Sequence, residues 1–319
     1  MPEWTLYDAG RQPADLRLPP APPWRTFAGT VTEPAPPITE DPDEGVTFRP
    51  DPGAVNAVNA ALQLRRPLLL TGRPGSGKSS LIASVARQLR LGPVLRWHIT
   101  SRSTLTDALY RYDAIGRLHE HTLAGQPPSI TKYLRLGPLG TALLPSTRPR
   151  ALLIDEIDKS DVDLPSDLLD VFERGEFEIP ELARLDEPTV LIREHDDDRV
   201  HPVERGKITC HEFPFVVLTS NGEREFPAAF LRRCIRYRIP DPDVTVLTEI
   251  VTAHLGADVA GRCAVLIADF ADRASGSGAH ATDQLLNAVY VVTGKAAPGS
   301  SQRDQVVDLL LKELTADLA

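Results

Sequence analysis

The sequence predicts an α/β fold: a mainly parallel sheet with helices on its faces, followed by a helical C-terminal region. Three observations predict it. Short apolar runs that end in a glycine or a polar residue recur between residues 51 and 240, among them "PLLLTG" (67–72), "ALLIDE" (151–156) and "PFVVLTSN" (214–221). Stretches with apolar residues at helical spacing alternate with them, the signature of strands buried between helical layers. After "IPDPD" (239–243) the strand signals stop and only helical spacing remains.

At 319 residues the chain is long enough for one large domain and a smaller one. Residues 1–50 are proline-rich ("RLPPAPPWRT", "TEPAPPITEDP"), which disfavours both helix and sheet. Trp4, Tyr7, Trp24 and Phe27 are large apolar anchors that solvated tails tend to lack. An extended arm, partly laid along the main domain, is therefore expected. Residues 54–65 read as a helix, 67–72 as a buried strand, 78–90 as a helix and 94–100 as a strand. The run 151–156 is a third strand, 163–175 a helix, 214–221 a fourth strand and 235–240 a fifth.

Two stretches interrupt the alternation. Residues 101–150 are too long for a simple connection and contain "ITKYLRLGP", read as a hairpin. Residues 176–212 read as strands around the acidic turn "EHDDD" (194–198). A domain boundary is expected near Pro240–Asp243, giving an arm (1–50), a sheet domain (51–240) and a helical domain (241–319) with a polar break at "SGSG" (275–278).

"GRPGSGKSS" (72–80) fits GxxxxGK[ST] between a strand and a helix. Gly75 and Gly77 let the backbone curl so that the N–H groups of Gly72, Arg73, Pro74, Gly75, Ser76, Gly77, Lys78, Ser79 and Ser80, proline excepted, converge on an anion. The following helix adds its positive N-terminus. In this pattern Lys78 reaches the β- and γ-phosphates and the Ser79 hydroxyl ligates Mg2+.

A phosphate loop needs a second strand that brings a carboxylate to the metal, and Asp155 ends such a strand. Glu156 follows directly, placed to accept a proton from an attacking water. The same pair could instead be an acidic helix start. "DKSD" (158–161) resembles a guanine reader, but it lies in the connection just after the metal strand and begins with Asp. Asp158, Lys159 and Asp161 therefore read as a solvated loop and cap, and adenine is the expected base.

Taken together, "GRPGSGKS", "LLIDEID", "VVLTSN" and "FLRR" resemble, in order and approximate spacing, the AAA+ ATPases over about residues 50–290. "YLRLGPLGTALL" (133–144) and the β-rich stretch before "VVLTSN" are similar to the MoxR branch, with its helix-2 insert and pre-sensor hairpin. The resemblance implies a P-loop αβα domain with a helical lid that binds and hydrolyses ATP with Mg2+. It implies that Asn221 is sensor 1, although "NG" is also a strong turn signal. Arg232 or Arg233 would be the arginine finger that enters a neighbouring subunit's site. The sensor 2 arginine of such lids has no clear counterpart; His280 stands near the expected place, with Arg273 as the alternative. A homo-oligomeric, hexameric ring acting on a protein client is implied, and family members often work with von Willebrand A-domain proteins.

The formal charge of −9 argues against a broad duplex-DNA footprint. Cys210, Cys234 and Cys263 are far apart and form no CxxC, which fits reduced core cysteines in a cytoplasmic protein. "MPEWTLYDAG" does not read as a signal peptide, and no apolar run approaches a membrane span. His195, His201, Cys210 and His211 match no compact zinc spacing. "RYDAIGRL" (111–118) is either a pore or partner-contact element or a packed linker. Three functions compete: an ATP-driven remodelling ring, a nucleotide-gated scaffold with little turnover in a regulatory or defence system, and a nucleic-acid motor.

Overall fold

The structure, a computed structural model, describes residues 4–10, 12–13, 18–31, 45, 47–124, 128–275, 281–294 and 297–311. Helix α1 (Pro52–Leu64) starts at Asp51, whose carboxylate accepts from the Gly53 and Ala54 amides, with proline at the first helical position where its missing N–H costs nothing. Strand β1 (Leu68–Thr71), helix α2 (Lys78–Gln88) and strand β2 (Leu95–His98) follow. Helix α3 (Leu105–Leu109), strand β3 (Tyr110–Tyr112), helix α4 (Ala114–Ala124), strand β4 (Leu134–Leu136) and helix α5 (Pro138–Ala142) fill the first interruption. Strand β5 (Ala151–Asp155) leads through a short 3-10 turn to helix α6 (Leu164–Arg174). The second interruption holds strand β6 (Glu176–Glu178), helix α7 (Pro180–Ala183), and strands β7 (Thr189–Arg193), β8 (Val200–Glu204) and β9 (Lys207–Thr209). Strand β10 (Phe215–Ser220), helix α8 (Ala228–Leu231) and strand β11 (Ile235–Arg238) close the sheet region, and helices α9 (Val244–Leu255), α10 (Ala257–Arg262), α11 (Ala264–Ser275), α12 (Thr282–Thr293) and α13 (Ser300–Leu310) follow among the described residues.

The central sheet has the order β11-β1-β10-β5-β2, parallel throughout. Because side chains alternate, the inner strands β1, β10 and β5 each serve two cores. Leu68, Leu70, Leu153 and Val217 face a cluster with Val58, Leu62, Leu81 and Ile82 of α1 and α2. Leu69, Leu152, Ile154 and Leu218 face the other cluster, with Leu168 and Phe172 of α6. Each such fully buried aliphatic side chain contributes roughly 1.5–3 kcal/mol. A third apolar cluster, with Leu247, Val251, Ile267, Phe270, Leu285 and Val289, is confined to α9–α13 and nearby residues.

The two interruptions are not separate. Their strands form one second sheet, β3-β4-β7-β8-β9-β6. "ITKYLRLGP" is not a hairpin by itself: Leu134–Leu136 pairs antiparallel with Tyr110–Tyr112, and α4 lies between the two strands. No turn-forming residue stands within "TKYLRL", so the chain cannot double back there. Strands β7 and β8 do form a hairpin over the acidic turn.

At that turn Glu194 is only 2% exposed. It takes a bidentate pair from Arg150 at 3.0 and 3.1 Å, one bond from Arg199 at 3.0 Å, and one contact from His201. Arg150 immediately precedes β5, so this carboxylate ties the second sheet to the first. A buried charge persists only with such compensation.

The arm runs along the body at several points. Asn59 of α1 accepts from the Leu6 and Tyr7 amides and donates to the Tyr7 carbonyl, and the fully buried Tyr7 hydroxyl meets Ser84 of α2. Further on, Phe27 stacks on Phe213 and the Gly29 amide donates to the Cys210 carbonyl. Among the described residues no helix is long and apolar enough to cross a membrane.

Burial would raise the Glu194 pKa, but the hydrogen bonds from His201 and Arg150 outweigh it and hold the carboxyl at about 2, below its ordinary 4.5. A depressed carboxyl stabilises the fold above its unfolded pKa. That contribution is lost as pH falls from about 4.5 towards 2. Glu194→Ala is expected to lower the unfolding free energy by roughly 3–5 kcal/mol, because Arg150 is left buried without its partner. Urea unfolding measures this, and the variant should show a flatter acid limb than the parent chain.

Candidate functional site

Four segments meet at the carboxyl edge of the central sheet, where parallel α/β sheets place their ligands. The first is the loop 72–77 between β1 and α2. Gly75 and Gly77 have φ of +71° and +80°, a conformation side chains resist. Space enforces the choice as well: an added Cβ on Gly75 would stand 2.7 Å from the Ala281 Cβ, and one on Gly77 would strike the Phe48 ring at 2.6 Å. Gly77 caps α2, so the helix opens its unpaired N–H groups and positive end towards the loop.

Lys78 is the first residue of that helix and is buried. Its Nζ donates to the carbonyls of Gly72 (2.9 Å) and Arg73 (2.8 Å) and to Asn221 Oδ1 (2.8 Å). Burial pulls its pKa below the usual lysine value, while the charges of Asp155, Asp158 and Glu156 oppose that shift. Of the remaining loop residues, Arg73 pairs with Asp241 at 3.3 Å and donates to the Ala274 carbonyl, linking the loop to the helical C-terminal region. Pro74 and Ser80 are exposed. The Ser76 hydroxyl is buried without a hydrogen-bond partner among the described residues.

The second segment is the end of β5. Asp155 Oδ1 accepts from Ser79 Oγ at 3.2 Å and from Thr219 Oγ1, and Thr219 Oγ1 in turn accepts from the Glu156 amide at 2.9 Å. A serine hydroxyl beside a carboxylate, next to an anion-binding loop, is a hard-oxygen donor set that fits Mg2+. Glu156 has φ +61°, outside the range a glutamate prefers. Its carboxylate is half-buried, with Lys159 Nζ at 2.8 Å and His98 Nε2 at 3.6 Å.

The third segment follows β10. The Asn221 side chain reaches Lys78, and its amide donates to Asp158 Oδ2 at 2.9 Å. The Glu223 amide donates to the same oxygen at 3.1 Å. This corrects the reading of Asp158 as part of a solvated loop: it is 3% exposed and fixes the turn that presents Asn221. The 3-10 turn after β5 folds the Asp158 side chain under the end of β10, where two amides need an acceptor. Lys159 and Asp161 are exposed.

The fourth segment is the start of α12, which abuts the loop through Ala281 and Thr282. Arg273 points elsewhere, pairing with Asp308 at 3.5 Å on α13. The carbonyl of the next residue, Ala274, is the one that accepts from Arg73 of the loop, and His280 lies outside the described residues. Phe48 was not anticipated from sequence. Its only signal was an aromatic residue at the end of a proline-rich arm.

Arg232 and Arg233 lie away from this cluster, at the end of α8. Arg233 is engaged within the chain, its Nε 2.7 Å from Glu173 Oε1. The Arg232 side chain is exposed and forms no hydrogen bond or ion pair among the described residues. His195, His201, Cys210 and His211 do not converge: His195 contacts Asp196, His201 contacts Glu194, and the His211 Nδ1 donates to the Gly29 carbonyl. Cys210 is buried, and burial pushes its thiol up to about 12.

Residues 67–234, more than half of the chain, match the family model described as AAA domain (dynein-related subfamily). No curated protein matches the sequence. Among solved structures, domain III of the Thermotoga maritima replication initiation protein DnaA aligns with 85% of this chain and 98% of its own, at 16% identity and a TM-score of 0.44.

The Asp158 geometry makes a direct prediction. Asp158→Ala leaves the Asn221 and Glu223 amides without their acceptor, at a cost of roughly 1–3 kcal/mol. Hydrogen exchange at those two amides should accelerate while exchange in β1 and β5 stays slow. Equal protection in the variant would show that the carboxylate does not hold the turn.

Proposed function

The chain belongs to the AAA domain family, in its dynein-related subfamily, and on that premise we propose that it is an Mg2+-dependent ATPase of MoxR type that works as a homo-oligomeric, hexameric ring to remodel or activate a protein client. In this reading residues 51–240 bind the nucleotide and residues 241–319 form a lid over it. The observation that carries the proposal is the convergence of Lys78, Ser79, Asp155 and Asn221 on one small volume at the end of the glycine loop.

Each side chain has a task that its position supports. Loop amides and the α2 N-terminus receive phosphate oxygens, and Lys78 offsets their charge. Ser79 and Asp155 would hold Mg2+, which neutralises phosphate charge when bound. Asn221, held through Asp158, orients the attacking water, and Glu156 takes its proton. Arg232, exposed and without a partner among the described residues, is better suited than Arg233 to act in a neighbouring subunit.

One observation favours the second reading, a nucleotide-gated scaffold with little turnover. The Glu156 carboxylate is engaged by Lys159, and a base so held must first exchange that partner for water. Glu156→Gln separates the readings: it abolishes function in a turnover-driven ring and preserves it in a scaffold that needs only bound ATP.

Turnover per subunit should rise with protein concentration and then level off as rings form. Lys78→Ala should raise the ATP Kd about 10- to 100-fold, the equivalent of roughly 1.5–3 kcal/mol for a charged hydrogen bond. Glu156→Gln should keep ATP affinity and lose roughly 10²- to 10⁴-fold in turnover. Turnover that is independent of concentration and unchanged in Arg232→Ala would sink the ring.

A further inference from the structure

Glu173 stands in the last turn of α6 and receives two arginines from distant parts of the chain. Arg233 Nε lies 2.7 Å from Oε1, and Arg25 Nη1 lies 3.5 Å from Oε2. Arg25 belongs to the proline-rich arm yet is only 5% exposed. Its Nε and Nη2 donate to the Arg65 carbonyl, just past the C-terminus of α1, at 3.1 and 2.6 Å. Its Nη1 donates to the Phe172 carbonyl near the C-terminus of α6 at 2.9 Å. The guanidinium also lies against the Phe27 and Phe213 rings, with centroids 5.1 and 4.8 Å away. One cation thus caps two helix ends, where carbonyls lack partners and the dipole is negative.

The backbone of Arg232 is held from the same quarter. Arg66, next to the carbonyl that Arg25 caps, donates from Nη1 to the Arg232 carbonyl at 3.1 Å. The next residue's side chain is fixed by Glu173. The base of Arg232 is therefore gripped on both sides, while its side chain reaches solvent.

We propose that Arg25, Glu173 and Arg66 are positioning residues that aim Arg232 outward at the neighbouring subunit, with the N-terminal arm as the anchor of that brace. The proposal rests on the reading of Arg232 as a group acting in trans. A long flexible arginine loses rotamer freedom when it stabilises a transition state, and a fixed base reduces that loss. Pairing Arg233 with Glu173 also leaves Arg232, of the two adjacent arginines, as the one without an ion pair among the described residues, so the two do not compete for one phosphate.

The test is subunit mixing. Glu173→Gln removes the brace's charge at a partly exposed position, and Arg25→Lys removes its fork geometry. Each should lower turnover about 10-fold with the melting temperature of Glu173→Gln and the Kd for a fluorescent ATP analogue unchanged, since each subunit's own phosphate loop is intact. Adding Glu156→Gln subunits, which cannot turn over but carry a well-aimed Arg232, should restore turnover at the Glu173→Gln sites. The double variant Glu156→Gln/Glu173→Gln should not restore it. The same mixing with Arg232→Ala subunits is the control. Failure to rescue Arg232→Ala overturns the trans reading and the proposal with it. Rescue of Arg232→Ala without rescue of Glu173→Gln, or full turnover in unmixed Glu173→Gln, overturns the proposal alone.

Discussion

The site depends on one hydrogen-bonded junction. Asp155 accepts from Ser79 on one side and Thr219 on the other. Those residues belong to the helix after β1 and to β10, and β10 lies between β1 and β5 in the sheet. The carboxylate therefore joins three neighbouring segments at one edge, and Thr219 passes the connection back to the Glu156 amide. Lys78 adds a cation that reaches Asn221. A parallel sheet supplies the register for this, because all its strands end on the same side. The buried ammonium is tolerable because the charges of Asp155, Asp158 and Glu156 partly offset the cost of its desolvation.

Much of the central sheet was legible because its signals are local. Apolar runs bounded by glycine or by polar residues marked β1, β5 and β10, and the glycine loop carries its own chemistry in its spacing. What was not legible depends on contacts across long separations. Asp158 looked like surface charge because its two amide partners lie more than sixty residues later, beyond β10. The second sheet was invisible as a unit for the same reason: its strands come from both sides of β5, and no periodicity announces that β4 lies beside β7. The pairing of Arg273 with Asp308 on α13 was not legible either, because helical spacing does not say which neighbour a helix face meets.

The buried Glu194 cluster and the Asp155 junction show two uses of charge in one chain. Glu194 is surrounded by Arg150, Arg199 and His201 and leaves no open valence on that side. It behaves as a rivet between sheets. At the other edge Lys78 spends its three donors on two carbonyls and Asn221, and Asp155 accepts from two hydroxyls, so neither ion is bonded to an opposite charge among the described residues, and the glycine loop keeps bulk away. Ions that are fully paired hold parts together, whereas ions that are partly paired can exchange a protein partner for a ligand.

The Arg25 cap also has a consequence for the order in which the molecule is completed. Residue 25 leaves the ribosome well before its partners, because one of the carbonyls it caps lies 147 positions later and the Phe213 ring it rests on lies later still. Its docking groove does not exist until most of the central sheet has been synthesised and closed. Until then the arm is unfastened, and its many prolines suit that interval by keeping it from pairing with unfinished sheet edges. The segment around Arg25 is thus made before its partners and fastened after them, and its seating reports that the body beneath it is complete.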